Sequence, residues 1–494
     1  MSNFNFKNRY LALGEDFYQK CNPTPVEKPG LIIFNAELAA ELGLTDEQDE
    51  VILADIFSGN LIHGTCEPLA MAYAGHQFGS FNPQLGDGRA IYLGELGPED
   101  ASLDIQLKGS GQTSYSRNGD GRAALGPVLR EYLLSEAMHQ LHVPTTRALA
   151  AVTTGEPVAR ERLMPGGVIT RAATSFIRVG SFQYFYMKEE NSSVKQLADY
   201  VIERNYPEVT SAENPYVALL EAVVLRQADL IARWMHIGFI HGVMNTDNAS
   251  IAGETIDYGP CAFMDYYKHT QVYSSIDRDG RYAYSNQPSI GLWNLSRLAE
   301  TLLPLFADDT ETAVSMAKNI LQKYIARYEL SWLTGMKDKC GLAESSGVNA
   351  EEDKALLESL LDTMDEGQAD FTLTFYHLSK LNKEAGEEDQ ALRKLFNNHT
   401  AIDNWLVEWR KRLAHEKMSD SERQTSMQKV NPIYIPRNHQ VEAVIRAAED
   451  HNDFAPFHAL NDILQKPFEY QEGKDRYMLP PEPQEVVHKT FCGT

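Results

Sequence analysis

The spacing of hydrophobic positions changes along the chain, and it predicts strands in the first part and helices in the remainder. Residues 31–39 and 90–96 are apolar runs between glycine- and aspartate-containing turns, which is typical of strands. Apolar and polar residues alternate over 103–108, which places Lys108 on the polar face of a strand. From about residue 195 apolar positions recur three or four apart, as over 217–235, and this spacing is typical of helices. The same signal predicts helices over 351–364, 390–396, 402–413 and 440–448.

These patterns predict the α+β fold class and three consecutive regions. With 494 residues the chain exceeds one usual hydrophobic core. We find no internal repeat and no linker rich in proline or serine, so we expect the regions to pack together. Residues 1–185 combine strands with helices, 186–330 are mainly helical, and 331–494 read as a helical extension.

Composition limits the partners and the compartment. Lysine and arginine number 45 against 69 aspartate and glutamate residues, so the net charge of −24 repels nucleic acid and anionic lipid. No apolar stretch is long enough to span a membrane, and the first ten residues show no secretory signal. The five cysteines are scattered and form no CxxC pair. We therefore expect a cytoplasmic protein with neither nucleic-acid nor membrane partners.

Two segments of the first region suit phosphate binding. Residues 84–89 contain two glycines, which permit close backbone approach, and end in an arginine that could clamp a phosphate. Taken alone, this segment is more typical of an ordinary turn between strands. Lys108 precedes Gly-Ser-Gly at 109–111, where it could approach a nucleotide phosphate. Ser114 occupies the third glycine position of a dinucleotide-binding loop, which excludes a Rossmann site.

A glutamate and two arginines follow in places where charge needs a partner. Residues 125–133 form an amphipathic helical pattern that carries Glu131. In a kinase-like lobe such a glutamate pairs with the strand lysine, although an exposed helix face is the alternative interpretation. Arg171 and Arg178 lie in otherwise apolar, strand-like stretches, and a polyphosphate is one plausible partner for them.

The most specific motif runs from His241 to Asn248 and continues at Asp257-Tyr258-Gly259-Pro260. An asparagine and an aspartate at this separation can chelate one hard divalent cation together with phosphate oxygens and water. Asp247 lies beside them and is available to accept a proton. A polar turn would explain residues 245–248 alone. It does not explain why the three motifs His-Gly, Asp-Asn and Asp-Tyr-Gly occur in this order.

The order of these motifs resembles that of protein kinases. A strand lysine, a helix glutamate and a metal-binding Asp-Phe-Gly occur there in succession, and Asp-Tyr-Gly takes the last place here. The loop is also similar to the His-Gly-Asp-x-x-x-x-Asn loop of aminoglycoside and choline kinases. In that alignment the catalytic aspartate falls on Val243, which argues against ordinary phosphoryl transfer to a hydroxyl.

Taken together, the segments resemble the selenoprotein O (SelO) family of protein adenylyltransferases. The resemblance covers nearly the whole chain and is carried by residues 84–89, 107–134, 144–148, 170–180, 241–260, 286–295 and 431–442. It implies a protein-kinase-like, two-lobed fold. The mixed α/β N-terminal lobe would be 1–185, the core of the mainly helical C-terminal lobe 186–330, and the C-terminal helical extension with its cysteine-containing tail 331–494.

The resemblance also implies an activity. ATP would bind in a flipped orientation, and AMP would pass to a Ser, Thr or Tyr hydroxyl of a protein substrate while pyrophosphate leaves. Mg²⁺ or Mn²⁺ would assist, and UMP transfer is an expected further activity with manganese.

Roles are implied for individual residues as well. Asp247 would be the catalytic proton acceptor, and Glu131 the partner of Lys108. The metal ligands would be Asn248 and Asp257. The nucleotide-binding residues would be Gly86, Gly88, Arg89, Lys108, Asp120, Gly121, Arg171, Arg178 and Asp257.

Some relatives in this family are thought to use a tail cysteine in a redox switch. Here Cys492 is the tail thiol, and Cys261 follows the Asp-Tyr-Gly-Pro segment. The resemblance therefore suggests a Cys261–Cys492 disulfide as a hypothesis, while two reduced cysteines are the usual state in a cytosolic chain.

Two other functions stay open at this point. A small-molecule or protein kinase would use the same Asn248 and Asp257 metal pair, although Val243 argues against it. An ATP-binding pseudokinase scaffold would bind nucleotide without transferring any part of it.

Overall fold

The computed structural model describes residues 4–44, 49–343 and 349–491 and shows a mixed α+β fold. The strands are β1 (Tyr18–Lys20), β2 (Gly30–Phe34), β3 (Leu69–Met71), β4 (Gly75–Gln77), β5 (Ser80–Asn82), β6 (Ala90–Leu96), β7 (Leu103–Lys108), β8 (Ala123–Ala124), β9 (Arg147–Ala159), β10 (Leu163–Ala173), β11 (Phe239–Ile240) and β12 (Ala262–Phe263). The helices are α1 (Ala36–Glu41), α2 (Glu50–Ser58), α3 (Leu125–Gln140), α4 (Val179–Tyr186), α5 (Asn191–Asn205), α6 (Pro215–His236), α7 (Gln287–Phe306), α8 (Thr310–Cys340), α9 (Ala350–Gly367), α10 (Phe371–Leu378), α11 (Asp389–Arg393), α12 (His399–Leu413), α13 (Asp420–Gln428), α14 (Asn438–His451) and α15 (Ala455–Leu464).

Most strands of the described residues belong to one antiparallel sheet. Its order is β1-β3-β6-β7-β10-β9-β2, and β8 pairs with β10. The predicted strands at 90–96 and 103–108 are confirmed as β6 and β7, which lie side by side. Ile105 and Leu107 of β7 point into an apolar core, while Lys108 ends the strand. Lys108 therefore lies at the C-terminal end of a strand in the middle of the sheet.

The predicted strand at 31–39 is only half right. The strand β2 ends at Phe34, and α1 begins two residues later at Ala36. Asn35 separates them because its side chain accepts a hydrogen bond from the backbone N–H of Leu38 and so caps the helix. The apolar run therefore serves two elements instead of one.

The helix α3 lies between the sheet and the C-terminal helices and is buried along most of its length. It contacts β9 and β10, and it also contacts α14 and α15. Tyr132 packs against Phe457 of α15 with ring centres 5.7 Å apart, and the backbone N–H of Gly126 donates to Glu449 of α14. These contacts fix the helix that carries Glu131.

The second half of the chain is helical, as its spacing predicts. The helix α6 packs against α7 and α8. The predictions at 217–235, 351–364, 390–396, 402–413 and 440–448 are confirmed as α6, α9, α11, α12 and α14, although α11 ends early at Arg393. No helix in the described ranges is long and apolar enough to cross a membrane.

Candidate active site

A cleft of about 780 Å³ opens between the sheet and the loop that joins β11 to β12. The residues of the predicted nucleotide, metal and catalytic sites line it, namely Gly86, Gly88, Arg89, Lys108, Asp120, Gly121, Arg171, Arg178, Asp247, Asn248 and Asp257. Glu131 lies behind Lys108, outside this lining. Residues that are up to 171 positions apart in sequence thus meet in one cavity.

At the inner end of the cleft, the ammonium group of Lys108 joins the sheet to α3. Its Nζ lies 2.7 Å from Oε2 of Glu131 and 2.8 Å from Oδ1 of Asp257. On β10, Arg171 pairs in register with Gln106 of β7, so the arginine lies on the same face as the lysine two residues further on. Two carboxylates therefore fix the direction of Lys108 and leave one of its three N–H groups for a ligand.

Three cations surround the carboxylate of Asp257. Besides Lys108, Nη1 of Arg171 lies 2.8 Å from Oδ1, and Nη1 of Arg178 lies 2.7 Å from Oδ2. Burial by itself would raise the pKa of Asp257, but the charges of Lys108, Arg178 and Arg171 more than offset it and hold the pKa well below its usual range. This carboxylate is therefore ionised at every ordinary pH.

The turn that follows Asp257 is held by its neighbours. Asp257 has a φ of 65°, in the left-handed region that side chains rarely adopt. The buried Tyr258 hydrogen-bonds through its hydroxyl to Thr145. Arg130 of α3 donates to the carbonyl of Gly259 over 3.0 Å. Because these contacts tie the turn to α3 and to the segment before β9, they maintain the strained backbone.

The loop that precedes Asp257 orients two further candidate residues. Nε2 of His241 lies 3.0 Å from the carbonyl oxygen of Ile256, which links the start and the end of the loop. Nδ2 of Asn248 donates to the carbonyl of Val243 over 3.0 Å. Since the amide nitrogen is committed to the backbone, Oδ1 of Asn248 is the atom left for a ligand.

Asp247 differs from Asp257 in its surroundings. Its Oδ2 accepts a hydrogen bond from Nε2 of Gln77 over 3.2 Å, while its Oδ1 is buried and has no hydrogen-bond partner among the described residues. Burial raises the pKa of Asp247 to about 6, against the opposing charge of Arg178. A carboxylate of this kind is mostly ionised at neutral pH and basic enough to accept a proton.

The β4–β5 hairpin holds the loop around Asp247 in place. The backbone N–H of His76 donates to Oγ1 of Thr246 over 2.7 Å. Gly75 faces Asp247 so closely that a Cβ at this glycine would lie 2.6 Å from Oδ1. Only glycine permits this approach, since no real Cβ comes so near to another heavy atom.

Two glycine-containing loops form one wall of the cleft. Gly86 has a φ of 66°, and the Tyr115 ring occupies the space next to it. A Cβ at Gly88 would lie 2.8 Å from the carbonyl oxygen of Tyr115, so the two loops stack backbone against backbone. Gly121 also has a φ of 66° and abuts the backbone of Gly111. The glycines are therefore required by the packing of the two loops themselves, independently of any ligand.

Asp120 is engaged with an arginine that the sequence did not single out. Its Oδ2 lies 2.8 Å from Nη1 of Arg160, in the turn between β9 and β10. The hydrogen bond from Arg160 lowers the pKa of Asp120. The β9–β10 turn is thereby tied to the glycine-containing wall.

The residues at the inner end of the cleft suit one hard divalent cation. Asn248 offers an amide oxygen and Asp257 a carboxylate, both of which are ligands that Mg²⁺ and Mn²⁺ prefer. Among the residues described, no group of three or more His, Cys, Asp and Glu side chains could hold a metal by itself. A cation here would therefore complete its coordination with phosphate oxygens and water.

The two candidate redox cysteines have different outcomes. Cys261 is a fully buried free thiol, and burial raises its pKa to about 12, which keeps it protonated and unreactive. Cys492 lies outside the described residues, so the Cys261–Cys492 disulfide stays a prediction.

Sequence reasoning missed several residues of the cleft. These are Tyr73, Gln77, Phe78, Tyr115, Arg117 and Arg160. The turn between β4 and β5 gave no sequence signal, because Phe78, with a φ of 51°, stands where asparagine, aspartate or glycine is usual. The contact between Gln77 and Asp247 spans 170 residues, and no local pattern encodes it.

The chain is similar over its length to known proteins. A family model described as "Protein adenylyltransferase SelO" matches residues 1–465. The chain is 56% identical to the "Protein nucleotidyltransferase YdiU" of Rhizobium meliloti (strain 1021), over 100% of both chains. It is 55% identical to the protein of that name from Rhizobium johnstonii (strain DSM 114642 / LMG 32736 / 3841), over 99% of this chain and 97% of the relative. It is also 55% identical to the one from Rhodopseudomonas palustris (strain HaA2), over 99% of both chains.

Proposed function

Because the chain belongs to the SelO family of protein adenylyltransferases, we propose that its cleft transfers AMP from ATP to a Ser, Thr or Tyr hydroxyl of a protein substrate. The chain is a protein nucleotidyltransferase, so ATP and a protein are its two substrates. The acceptor residue types, the metal and the individual residue roles are the parts that we propose.

One observation carries the assignment of roles. The cleft holds two aspartates, one surrounded by three cations and one with a buried oxygen that has no partner within the described ranges. The first, Asp257, suits the binding of phosphate and metal. The second, Asp247, suits the acceptance of a proton.

The proposed step moves one proton and exchanges one P–O bond for another. The acceptor hydroxyl gives its proton to Oδ1 of Asp247, and its oxygen forms a bond to the α-phosphorus of ATP. The bond between the α-phosphorus and the oxygen bridging to the β-phosphorus breaks, and pyrophosphate leaves with the electron pair. The products are an AMP–protein phosphodiester and pyrophosphate.

The cationic residues stabilise charge in this step. Lys108, Arg171 and Arg178 are fixed by Asp257 and Glu131 before the nucleotide arrives, so little reorganisation is needed when negative charge builds on the phosphoryl oxygens. Gly86, Gly88 and Gly121 permit the backbone to approach the nucleotide, with Arg89 and Asp120 beside them.

A divalent cation would be held by Asn248 and Asp257. When bound with the nucleotide, Mg²⁺ or Mn²⁺ supplies positive charge to the phosphoryl oxygens and to the leaving pyrophosphate. We also propose UMP transfer with manganese as a further activity of the same cleft.

We further propose a protein-kinase-like, two-lobed arrangement. The sheet and α3 lie within 1–185, Asp247 and Asp257 lie within 186–330, and 331–494 is the helical extension. The Lys108–Glu131 ion pair between strand and helix supports this arrangement. Four free thiols among the described residues fit the reducing cytoplasm, where we place the reaction.

Incubation with labelled ATP tests the proposal. The purified protein receives ATP labelled at the α-phosphate or at the γ-phosphate, with magnesium or manganese, and Asp257→Ala serves as the control. We expect protein-bound α-label without γ-label, absent from the variant. Label from the γ-phosphate alone would show a kinase, and ATP binding without any label would show a scaffold.

A further inference from the structure

Arg117 lies in the loop between β7 and β8 and lines the cleft. It is exposed, whereas Lys108, Arg171 and Arg178 are buried at the inner end. Across the described part of the chain, its guanidinium makes no hydrogen bond, ion pair or ring contact. The N–H donors of an arginine at the rim of the cleft are therefore available to a ligand.

The backbone at Arg117 is unfavourable for an arginine. Ser116 to Gly119 form a tight turn, in which the N–H of Gly119 donates to the carbonyl of Ser116 over 2.7 Å. Both central residues are left-handed, with a φ of 48° at Arg117 and 67° at Asn118. Turns of this type favour asparagine, aspartate and glycine at both positions. Asn118 satisfies that preference, but a long side chain at the first position does not.

The turn is nevertheless rigidly built. Nε2 of Gln112 donates to the carbonyl of Gly119 over 3.0 Å, and the N–H of Thr113 donates to Oγ of Ser116 over 2.8 Å. The surrounding loop therefore holds Arg117 in a costly conformation that the side chain itself does nothing to stabilise. Strained conformations of this kind cluster at active sites and at loops that hold ligands.

The charges of the cleft indicate which ligand suits Arg117. Lys108, Arg171 and Arg178 share the carboxylates of Asp257 and Glu131, so three positive charges face two negative ones. The carboxylate of Asp247, mostly ionised at neutral pH, offsets the remaining positive charge, whereas a nucleoside triphosphate brings several negative charges. A rim arginine with open donors matches the remaining phosphate charge.

We infer that the guanidinium of Arg117 binds a phosphate group of the nucleotide at the rim of the cleft, an assignment that rests on the proposed function. Neither the motifs of the sequence nor the family description assigns this residue a role. The strained turn presents the side chain to the nucleotide, and the bound phosphate offsets the cost of the turn.

The variant Arg117→Asn separates this role from a structural one. Asparagine adopts the left-handed conformation readily, so we expect the nucleotide-free variant to unfold thermally at the wild-type temperature or above it. Removal of the guanidinium should raise the Kd for ATP on the order of tenfold. A lower unfolding temperature of the free variant would show that Arg117 is structural and overturn the inference.

A nucleotide series identifies the group that is bound. ATP, AMP and adenosine are each measured as competitors of a fluorescent ATP analogue, with the wild type and with Arg117→Asn. The binding of ATP should weaken in the variant while the binding of adenosine is unchanged, because adenosine carries no phosphate. Equal weakening of adenosine would show a contact with the base or sugar, and unchanged binding of ATP would show no contact; either result overturns the inference.

Two further variants serve as controls. Arg162→Asn removes an exposed arginine in the neighbouring β9–β10 turn, outside the cleft lining, and should leave all three affinities unchanged. Arg117→Lys keeps the charge without the two parallel N–H donors, and its Kd for ATP should lie between those of the wild type and Arg117→Asn.

The binding measurement does not depend on transfer. If the wild type transfers no α-label but Arg117→Asn still binds ATP tenfold more weakly, the proposed function alone is contradicted. If Arg117→Asn labels protein and binds ATP as the wild type does, this inference alone is contradicted.

Discussion

The two aspartates of the cleft owe their different chemistry to their immediate neighbours. Asp257 is buried among Lys108, Arg171 and Arg178, and the pKa of its carboxyl is held far below the usual range. Asp247 is more buried than Asp257 and accepts one side-chain hydrogen bond, from Gln77, and its pKa is raised to about 6. The same residue type is therefore prepared for metal and phosphate at one position and for proton transfer at the other.

Exchange of these aspartates should separate nucleotide binding from turnover. We expect Asp247→Asn to keep the wild-type Kd for ATP and to lose on the order of a hundredfold or more in turnover, because the amide cannot take the proton. Asp257→Ala should abolish metal-dependent ATP binding, since the divalent cation loses its proposed carboxylate ligand and the three cations lose the group that orients them. Fluorescent-nucleotide titration and α-label transfer measure the two quantities. Equal loss of ATP binding in both variants would contradict the assigned roles.

Among the structural elements, the β4–β5 hairpin sets the position of the proposed proton acceptor. It contributes the backbone contact of His76 with Thr246 and the side-chain contact of Gln77 with Asp247. Gly75 lies directly against the same carboxylate. The hairpin therefore contacts both oxygens of Asp247: Gln77 donates to Oδ2, while Gly75 packs against Oδ1 and gives it no hydrogen bond.

A single methyl group on the hairpin tests this role. In Gly75→Ala the new Cβ would lie 2.6 Å from Oδ1 and 2.9 Å from Cβ of Asp247, so the aspartate must shift. We expect turnover to fall on the order of a hundredfold, since misplacement by about 1 Å costs that much. The Kd for ATP should change little.

Gly64→Ala provides the matched control, because nothing lies within 4 Å of a Cβ at Gly64. Its turnover and thermal stability should equal those of the wild type. Full activity of Gly75→Ala would show that the hairpin does not position Asp247.

The elements also show why the sequence predicted some features and not others. The strand β7 was predictable because its alternation is local, and the same alternation placed Lys108 at the cleft. The end of β2 was missed because Asn35 caps a helix inside an apolar run. The hairpin's contact with Asp247 was missed because Gln77 is 170 residues away, beyond any local pattern. The site residues named from the family resemblance did not depend on predicting such long-range contacts.

At the scale of the whole molecule, one buried charge ties the helical extension to the rest of the chain, and a second lies within the extension. Arg437, in the loop before α14, is fully buried between Asp265 and Asp370, at 2.6 and 2.8 Å. Lys339, at the end of α8, is buried as well, and its Nζ donates to Oδ1 of Asn431 over 2.8 Å. Arg437 has two carboxylates, whereas no ion pair is found for Lys339 within the described ranges.

The buried Lys339 should make the stability of the whole chain depend on pH. Burial lowers the pKa of Lys339 to about 7, whereas a lysine in the unfolded chain titrates at about 10.4. Between these values the unfolded chain binds more protons than the folded one, so the free energy of unfolding rises with pH. Below pH 7 both states are protonated, and the folded state bears the full cost of the buried charge.

Comparison with Lys339→Met isolates this effect from all other titrating groups. Methionine fills the apolar site next to Phe375 without a charge. From pH 7 to pH 9 the wild type should gain on the order of 2 kcal/mol in unfolding free energy relative to the variant, as measured by urea denaturation. Lys318→Met, an exposed lysine on the same helix, should show no such difference. A constant difference between wild type and Lys339→Met across this range would mean that Lys339 stays charged in the folded chain, held by Asn431 and the Phe375 ring.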